Sequence, residues 1–337
     1  MSWSSRNEIT TITKHELHRL LQSDDEVFVL DNSIHRSQAK IESPIKFSRL
    51  IGLGVKASFT IDSSTDFVDL KSWMDDANDI IFGYFSYDLK NRLENLKSRH
   101  ADSIGFPHAH FVIPETVVVV NDERIQCLTH SENLNILTSS CSKKAHVSSD
   151  FHTKSQENYV ATVKALKTHI QQGDIYEANY CIEHMLADTE IIPHQLYQEL
   201  QHSSPAPFSC YVADNGKYLM SSSPERFIMK IGRKIISQPM KGTNRRTADN
   251  EEQKRRLRND PKEVTENVMI TDLVRNDLSR SAKKGTVRVD ELCAVSEFKH
   301  VNTMISTLSA ELRDDIHPLD AILNAFPMGS MTGAPKI

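Results

Sequence analysis

The chain has 337 residues, of which 39% are apolar and 25% are charged, a composition typical of a globular protein of roughly two domains. The 40 lysines and arginines nearly balance the 45 aspartates and glutamates, and the net charge of −5 excludes a basic surface for nucleic acid or anionic membranes. No apolar run approaches the roughly 18 residues that a transmembrane helix needs.

The N-terminus and the cysteines predict a cytoplasmic protein. Residues 1–8 have no basic stretch followed by an apolar one, which disfavours a secretory signal. The 5 cysteines are scattered and form no C-x-x-C pair. We therefore expect reduced thiols, with neither a disulfide framework nor a zinc site.

The N-terminal part of the chain mixes helical and strand patterns. Lys14–Leu21 predicts a short helix, Ile80–Tyr87 a buried strand, and the β-branched run Thr116–Val120 a second strand. The serine-rich segment 138–150 has little apolar content and predicts a surface linker. These patterns predict an N-terminal part, a linker and a C-terminal part, at residues 1–138, 139–154 and 155–337.

The C-terminal part begins with a helix and continues with hairpins. Ser155–Gln172 has apolar residues at helical spacing, and Gly173 ends the helix. Two strand pairs follow, in which Phe208–Ala213 pairs with Lys217–Ser221, and Phe227–Ile231 pairs with Lys234–Gln238 across a type II′ turn at Gly232-Arg233. Sequential hairpins predict antiparallel sheets.

The second hairpin is predicted to bring two ionisable residues together. Pairing outward from the turn sets Glu225 opposite Met240, so that Glu225 and Lys241 lie at the same open end. A carboxyl group and an amine in this position suit an acid and a nucleophile. A surface ion pair is the alternative interpretation.

A predicted helix carries two further carboxylates. Asp260 and Pro261 are typical of the N-cap and the first turn, and the helix is expected to run to about Val274. Glu263 and Glu266 then share one face with apolar residues that point inward, an arrangement that suits a hard cation such as Mg²⁺. The alternatives are a capping box for Glu263 and a plain surface position for Glu266.

The segment Gly329–Lys336 (GSMTGAPK) predicts a small-residue loop near the end of the chain. It departs from the phosphate-loop pattern because Ala334-Pro335 separates the glycine from the lysine. Its backbone N–H groups suit an anion such as a carboxylate. The alternative is a simple turn.

Five segments resemble, in the same order, motifs of the chorismate-utilising enzymes, and among these most closely the aminodeoxychorismate synthases (component I). The segments are Gly173–Asn179 (GDIYEAN, similar to GDIYQVN), Ser223–Phe227 (SPERF), Pro239–Thr243 (PMKGT, similar to PIKGT), Glu263–Leu278 (similar to ExxENLMIVDLxRNDL) and Phe326–Lys336 (similar to FPGGSITGAPK). In the N-terminal part, Gly83–Asp88 resembles GYFGYDL. The resemblance is strong over residues 159–337 and weak over residues 1–138.

The resemblance implies a role for each motif residue. It implies that Glu225 is the general acid on the C4 hydroxyl of chorismate, and that Lys241 adds to C2 before ammonia displaces it at C4. It implies that Glu266 binds Mg²⁺ directly, with Glu263 nearby. The residues that it implies at the substrate site are Gly242, Thr243, Thr332 and Gly333.

Three positions separate the branches of this family. Enzymes resembling anthranilate synthase typically have alanine at the position of Lys241, whereas lysine is typical of aminodeoxychorismate synthases. Isochorismate and salicylate synthases place a water-activating lysine where this chain has Glu177. Thr303 stands where anthranilate synthases have a histidine associated with pyruvate elimination. The resemblance therefore implies amination of chorismate to 4-amino-4-deoxychorismate, toward p-aminobenzoate and folate.

The resemblance also implies an α+β fold, a two-layer antiparallel β-sandwich with helices outside, as in anthranilate synthase component I. In the family, a further segment with a second pair of Mg²⁺-binding glutamates follows the TGAPK motif, so we expect this sequence to lack a C-terminal part. Chorismate and ammonia are the implied substrates, and a glutamine amidotransferase subunit is the implied partner. The alternatives are anthranilate synthase component I and a non-catalytic fragment that binds a partner.

Overall fold

The structure, a computed structural model, describes residues 10–11, 26–32, 47–62, 64–98, 100–121, 124–128, 151–152, 156–186 and 189–337. The helix predicted at 14–21 and the serine-rich segment 138–150 lie outside these ranges. None of the described helices combines the length and the apolar character needed to cross a bilayer.

The strands and helices of the described residues follow one another in mixed order. The strands are β1 (Thr10–Thr11), β2 (Val27–Asp31), β3 (Arg49–Leu53), β4 (Ala57–Ile61), β5 (Phe82–Phe85), β6 (Ala109–Ile113), β7 (Thr116–Asn121), β8 (Arg124–Cys127), β9 (Phe151–His152), β10 (Glu177–Ala178), β11 (Met185–Leu186), β12 (Phe208–Asp214), β13 (Lys217–Ser223), β14 (Arg226–Ile231), β15 (Lys234–Gln238), β16 (Met240–Arg245), β17 (Arg288–Glu297), β18 (Val301–Glu311) and β19 (Gly333–Ala334). The helices are α1 (Phe67–Asp76), α2 (Lys90–Leu93), α3 (Gln156–Gln172), α4 (Pro193–Ser203), α5 (Asn250–Asn259), α6 (Pro261–Ser279) and α7 (Pro318–Ala325).

The described residues form two compact units that interleave along the sequence. The first unit combines residues 1–142 with Pro193–Glu225, and the second combines residues 143–192 with residues 226–337. The interleaving arises because β12 pairs with β2, from Ser209 opposite Asp31 to Ala213 opposite Val27. The predicted linker at 139–154 stays a prediction, and the strand pairing adds residues 193–225 to the first unit, which a composition shift does not indicate.

The first unit contains two antiparallel sheets that share a core. One sheet has the order β1-β8-β7-β3-β2-β12-β13, and the other has the order β4-β6-β5. Side chains of both sheets meet in one cluster, formed by Phe28, Leu50, Phe82, Val112, Val117, Val119 and Val212. On the opposite face of the larger sheet, Tyr197 of α4 packs with Val29 and Tyr211. Alternation along the strands supplies both faces with apolar residues.

The second unit is built on an antiparallel sheet of order β14-β15-β18-β16, with β17 on the other edge of β18. Helix α6 packs on this sheet through Ile270 and Val274, which contact Ile235 and Leu308 in one buried cluster. The strand pairs of the described residues are antiparallel throughout, so the predicted α+β class is confirmed.

The second predicted hairpin forms around its turn but not at its open end. Gly232 has φ +57°, and Ile231 pairs with Lys234 as predicted. A β-bulge between Arg226 and Met229 then places Arg226, rather than Phe227, opposite Gln238. The predicted pairing of Glu225 with Met240 is therefore wrong, because the bulge inserts an extra residue into β14. Strand β16, which contains Met240, pairs with β18 instead.

Replacing Leu308 by alanine should lower the free energy of unfolding by about 2–5 kcal/mol, because this side chain is fully buried beneath α6. Urea denaturation followed by circular dichroism measures the change. Leu292→Ala is the matched control, since Leu292 of the neighbouring strand β17 is 52% exposed and its loss should cost less than about 0.5 kcal/mol. Equal effects of the two substitutions would contradict this description of the core.

Candidate active site

The amine of Lys241 is mostly buried. Side chains from β10 and from the segment after β10 hold it in place. Its Nζ donates a hydrogen bond to Asn179 Oδ1 at 3.0 Å and forms an ion pair with Glu177 Oε1. The Lys241 and Glu177 side chains are only 18% and 17% exposed. Lys241 is therefore fixed by two acceptors within the second unit and does not extend into solvent.

The small-residue loop is attached to the same strand. Strand β10 pairs with β19, with Glu177 opposite Ala334 and Ala178 opposite Gly333. A Cβ atom on Gly333 would lie 2.4 Å from the carbonyl oxygen of Glu177, so only glycine permits this approach. Thr332 accepts hydrogen bonds at its carbonyl oxygen from both the backbone N–H and the side-chain amide of Asn179, at 3.0 and 3.2 Å. The structure thus brings Thr332 and Gly333 to the segment that holds Lys241.

Helix α6 begins as the sequence predicts. The Asp260 side chain accepts hydrogen bonds from the backbone N–H groups of Lys262 and Glu263, at 2.9 and 3.2 Å, and Pro261 occupies the first turn. The helix continues to Ser279, past the predicted end near Val274, because the pattern of buried residues extends to Leu278.

Glu263 and Glu266 differ in their surroundings from residues on the exposed side of α6. The backbone N–H of Asp260 donates to the Leu257 carbonyl at 3.3 Å, so Glu263 does not form a capping box. Val268 on the opposite side of α6 is 43% exposed, whereas the Glu263 and Glu266 side chains are 21% and 31% exposed. Both glutamates therefore lie on the partly buried side of the helix.

The two carboxylates converge on one cation. Lys262 Nζ lies 2.9 Å from Glu263 Oε1 and 3.1 Å from Glu266 Oε1. The hydrogen bonds that Lys262 donates to the carboxylates of Glu263 and Glu266 raise the pKa of Lys262 above its usual value. The Lys262 side chain is 69% exposed, whereas both carboxylates are partly buried. The donor set fits a Mg²⁺ ion, which prefers carboxylate oxygens.

Gly242 follows Lys241 in the chain and packs closely against Glu263. Its φ of +90° favours glycine, and a Cβ atom there would lie 3.2 Å from both Cβ and Oε2 of Glu263. Strand β16 consequently passes directly against Glu263, one residue after Lys241. Beyond it, the exposed Thr243 has its hydroxyl 3.3 Å from that of buried Thr303, its partner across β16 and β18.

Glu225 is the last residue of the first unit and is partly buried. Its backbone N–H donates to the Ser223 hydroxyl at 3.3 Å. The predicted hairpin register placed Glu225 beside Lys241. The bulge in β14 shifts that register, so the hairpin no longer supports this placement. Glu225 remains a predicted general acid on the motif alone.

Asn267 is a site residue that the sequence reasoning missed. Its side chain is fully buried, and its amide donates to the carbonyl oxygens of Lys241 at 2.9 Å and Met304 at 3.2 Å. Its Oδ1 accepts a hydrogen bond from the Ser306 hydroxyl. The sequence feature that could have identified Asn267 is a polar side chain next to Glu266, on the side of the helix that otherwise carries apolar residues.

Comparisons with known proteins identify the family of this chain. A family model described as chorismate binding enzyme matches residues 35–337. The chain belongs to this family. Its membership confirms the resemblance inferred from the five motifs.

Curated relatives within the chorismate-binding enzymes carry different names. This chain is 33% identical to anthranilate synthase component 1 of Thermus thermophilus and 33% identical to aminodeoxychorismate synthase component 1 of Klebsiella aerogenes. Each match covers 76% of this chain. These matches cover 60% and 59% of the relatives, so the chain spans about three fifths of their length. Overall identity does not separate the two activities.

Solved structures share the fold at low sequence identity. Anthranilate synthase component I from Streptococcus pneumoniae TIGR4 matches with a TM-score of 0.75 at 20% identity, covering 89% of this chain and 77% of that one. The menaquinone-specific isochorismate synthase MenF of Escherichia coli matches with a TM-score of 0.72 at 13% identity, covering 97% and 74%. The predicted anthranilate synthase component I-like fold is confirmed.

Asn267→Ala should destabilise the chain by about 2–4 kcal/mol, because it leaves two carbonyl oxygens and a hydroxyl without their buried partner. Chemical denaturation measures the loss. The control is Asn276→Ala on the same helix, where the side chain is exposed and the expected change is below about 0.5 kcal/mol. A wild-type denaturation curve for Asn267→Ala would rule out this bridging role.

Proposed function

We propose that this chain carries the catalytic residues of an aminodeoxychorismate synthase component I, which converts chorismate and ammonia to 4-amino-4-deoxychorismate and water. The observation that supports this choice is Lys241, a mostly buried amine held by Glu177 and Asn179 on the strand that passes Glu263. Because relatives with two different names are equally similar, the choice depends on this position rather than on overall identity.

The proposed reaction uses Lys241 as a nucleophile. A bond forms between Nζ and C2 of chorismate while both ring double bonds shift and the C4 hydroxyl leaves as water with a proton from Glu225. Ammonia then bonds to C4, both double bonds shift back, the Nζ–C2 bond breaks, and a proton from the new ammonium group returns to Glu225. Covalent catalysis of this kind divides one difficult substitution into two easier ones.

Glu177 is the proposed acceptor for the proton that Lys241 must lose. An ammonium group has no lone pair, so attack on C2 requires that one proton leave Nζ. Oε1 of Glu177 is in direct contact with Nζ, and Asn179 Oδ1 fixes the orientation of the amine. A carboxylate at position 177 suits this transfer, whereas hydroxylation requires a base that activates water.

Mg²⁺ is the proposed cofactor, with Glu266 as a direct ligand and Glu263 beside it. When bound, the ion supplies positive charge for a carboxylate of the substrate. The backbone around Gly242 and Thr243 and the loop at Thr332 and Gly333 are the proposed walls of the substrate site. Gly242 and Gly333 permit close approach of the chain because neither carries a side chain.

A glutamine amidotransferase subunit is the proposed source of ammonia. The relatives are named component 1, which implies a second component in each of those proteins. We place the reaction in the cytoplasm, toward p-aminobenzoate and folate. Anthranilate synthase component I is the second candidate, favoured by the Thermus thermophilus relative.

Product analysis by mass spectrometry tests the proposed reaction. The chain, and the same chain continued through any downstream reading frame, are incubated with chorismate, ammonium and Mg²⁺. Aminodeoxychorismate as the product supports the proposal. Anthranilate as the product identifies the second candidate, and unchanged chorismate in both incubations leaves a non-catalytic binding protein.

Lys241→Ala should reduce aminodeoxychorismate formation on the order of 10³-fold or more, equivalent to about 4 kcal/mol in the activation barrier, because no other amine replaces the nucleophile. Steady-state rates with saturating ammonium measure the effect. Lys230→Ala is the control, since Lys230 is an exposed lysine of β14 and its loss should leave the rate unchanged. Full activity of Lys241→Ala would eliminate the covalent route.

Glu266→Gln should weaken Mg²⁺ binding at least about 10-fold, and Glu263→Gln should weaken it less, because an amide oxygen replaces a charged ligand. Titration with Mn²⁺ followed by electron paramagnetic resonance, with Mg²⁺ as competitor, gives the affinities. Glu251→Gln on α5 is the control, since Glu251 is 78% exposed. Identical affinities in all three variants would remove these glutamates from the metal site.

A further inference from the structure

Three side chains of types that bind metal ions converge in the first unit, and none of them is among the proposed active-site residues. Glu26 directly precedes β2, His110 lies in β6, and Asp214 is the last residue of β12. One ligand atom from each residue lies within 4.8 Å of the other two. We call these residues the Glu26–His110–Asp214 cluster.

The cluster is buried, and Asp214 lacks an ion-pair partner among the described residues. The His110 and Glu26 side chains are 6% and 17% exposed, and Asp214 is 4% exposed. His110 Nε2 lies 3.4 Å from Glu26 Oε2. Among the described residues, no basic side chain lies within ion-pair distance of Asp214, which receives hydrogen bonds from Tyr84 and Asn215 only. A buried carboxylate without a counter-charge is costly, and a bound cation relieves that cost.

Hydrogen bonds from residues around the cluster orient His110 and Asp214. Thr60, the cross-strand partner of His110, has its hydroxyl 2.8 Å from Nδ1, which leaves Nε2 to face the carboxylates. The Tyr84 hydroxyl donates to Asp214 Oδ2 at 2.6 Å. Fixing the second ring nitrogen of histidine and one carboxylate oxygen is typical of metal sites.

We propose that Glu26, His110 and Asp214 bind a divalent transition-metal ion such as Zn²⁺ as a structural site. One imidazole and two carboxylates match the ligand preferences of Zn²⁺ better than those of Mg²⁺. His110 belongs to the smaller sheet of this unit, whereas Asp214 belongs to the larger sheet and Glu26 adjoins it. The ion therefore links the two sheets. This site is independent of the proposed reaction and needs no substrate.

Zinc titration of chelator-treated protein tests the site. The full chain carrying Glu263→Gln and Glu266→Gln is used, so that the other carboxylate pair does not contribute. Isothermal calorimetry should give one Zn²⁺ per chain, and adding Asp214→Asn or His110→Gln should weaken the affinity at least about 10-fold. Asp31→Asn is the matched control, because Asp31 is equally buried in the same sheet but paired with Arg49. Its affinity should equal that of the parent.

X-ray absorption of the zinc-loaded parent keeps the proposal testable if the cluster variants fail to fold. The expected first shell has one imidazole nitrogen, with oxygen for the other ligands. A shell with no imidazole, or with two or more, would overturn the assignment. The absence of stoichiometric binding, or an unchanged affinity in folded Asp214→Asn, would overturn it as well.

Discussion

The buried side chain of Asn267 sets the geometry on which the candidate active site depends. Its amide joins helix α6 to the backbone of β16 at Lys241 and of β18 at Met304, and its Oδ1 engages Ser306. A buried amide group satisfied on both sides leaves little freedom for the helix to slide or rotate, since any shift leaves several polar groups unpaired. The position of Glu266, the adjacent residue, is therefore fixed relative to Lys241.

Short-range signals predicted the local structure well. The Asp260 N-cap, the proline after it and the Gly232 turn all form as the sequence indicates, because each depends on residues a few positions apart. The bulge between Arg226 and Met229 has no such signal, and it moves the register by one residue. Because of this shift by one residue, the hairpin forms around its turn as predicted, but Glu225 does not pair with Met240.

The pairing of strands that lie far apart in the sequence could not be predicted either, because it also has no short-range signal. The pairing of β12 with β2 assigns residues 193–225 to the first unit, although the composition changes elsewhere. The motif residues of the candidate site could be named, but the contacts that orient them could not. Asn179 and Asn267 belong to motif segments, yet their partners lie 62 and 26 residues away from them at Lys241. Such partners become evident only when the strands are in place.

The environment of Lys241 is finally determined by a series of contacts that starts far from it. Lys336 donates from Nζ to Asp277 Oδ1 and to the Ala325 carbonyl, both at 2.8 Å, in a pair whose side chains are 14% and 6% exposed. Such a buried pair contributes more to position than to stability. It fixes the end of the loop that forms β19, and β19 in turn holds β10 with Glu177. An isochorismate synthase shares the fold at 13% identity, so the architecture alone does not determine which side chain performs the proposed reaction. In this chain, the series of contacts described above determines which side chains lie next to Lys241.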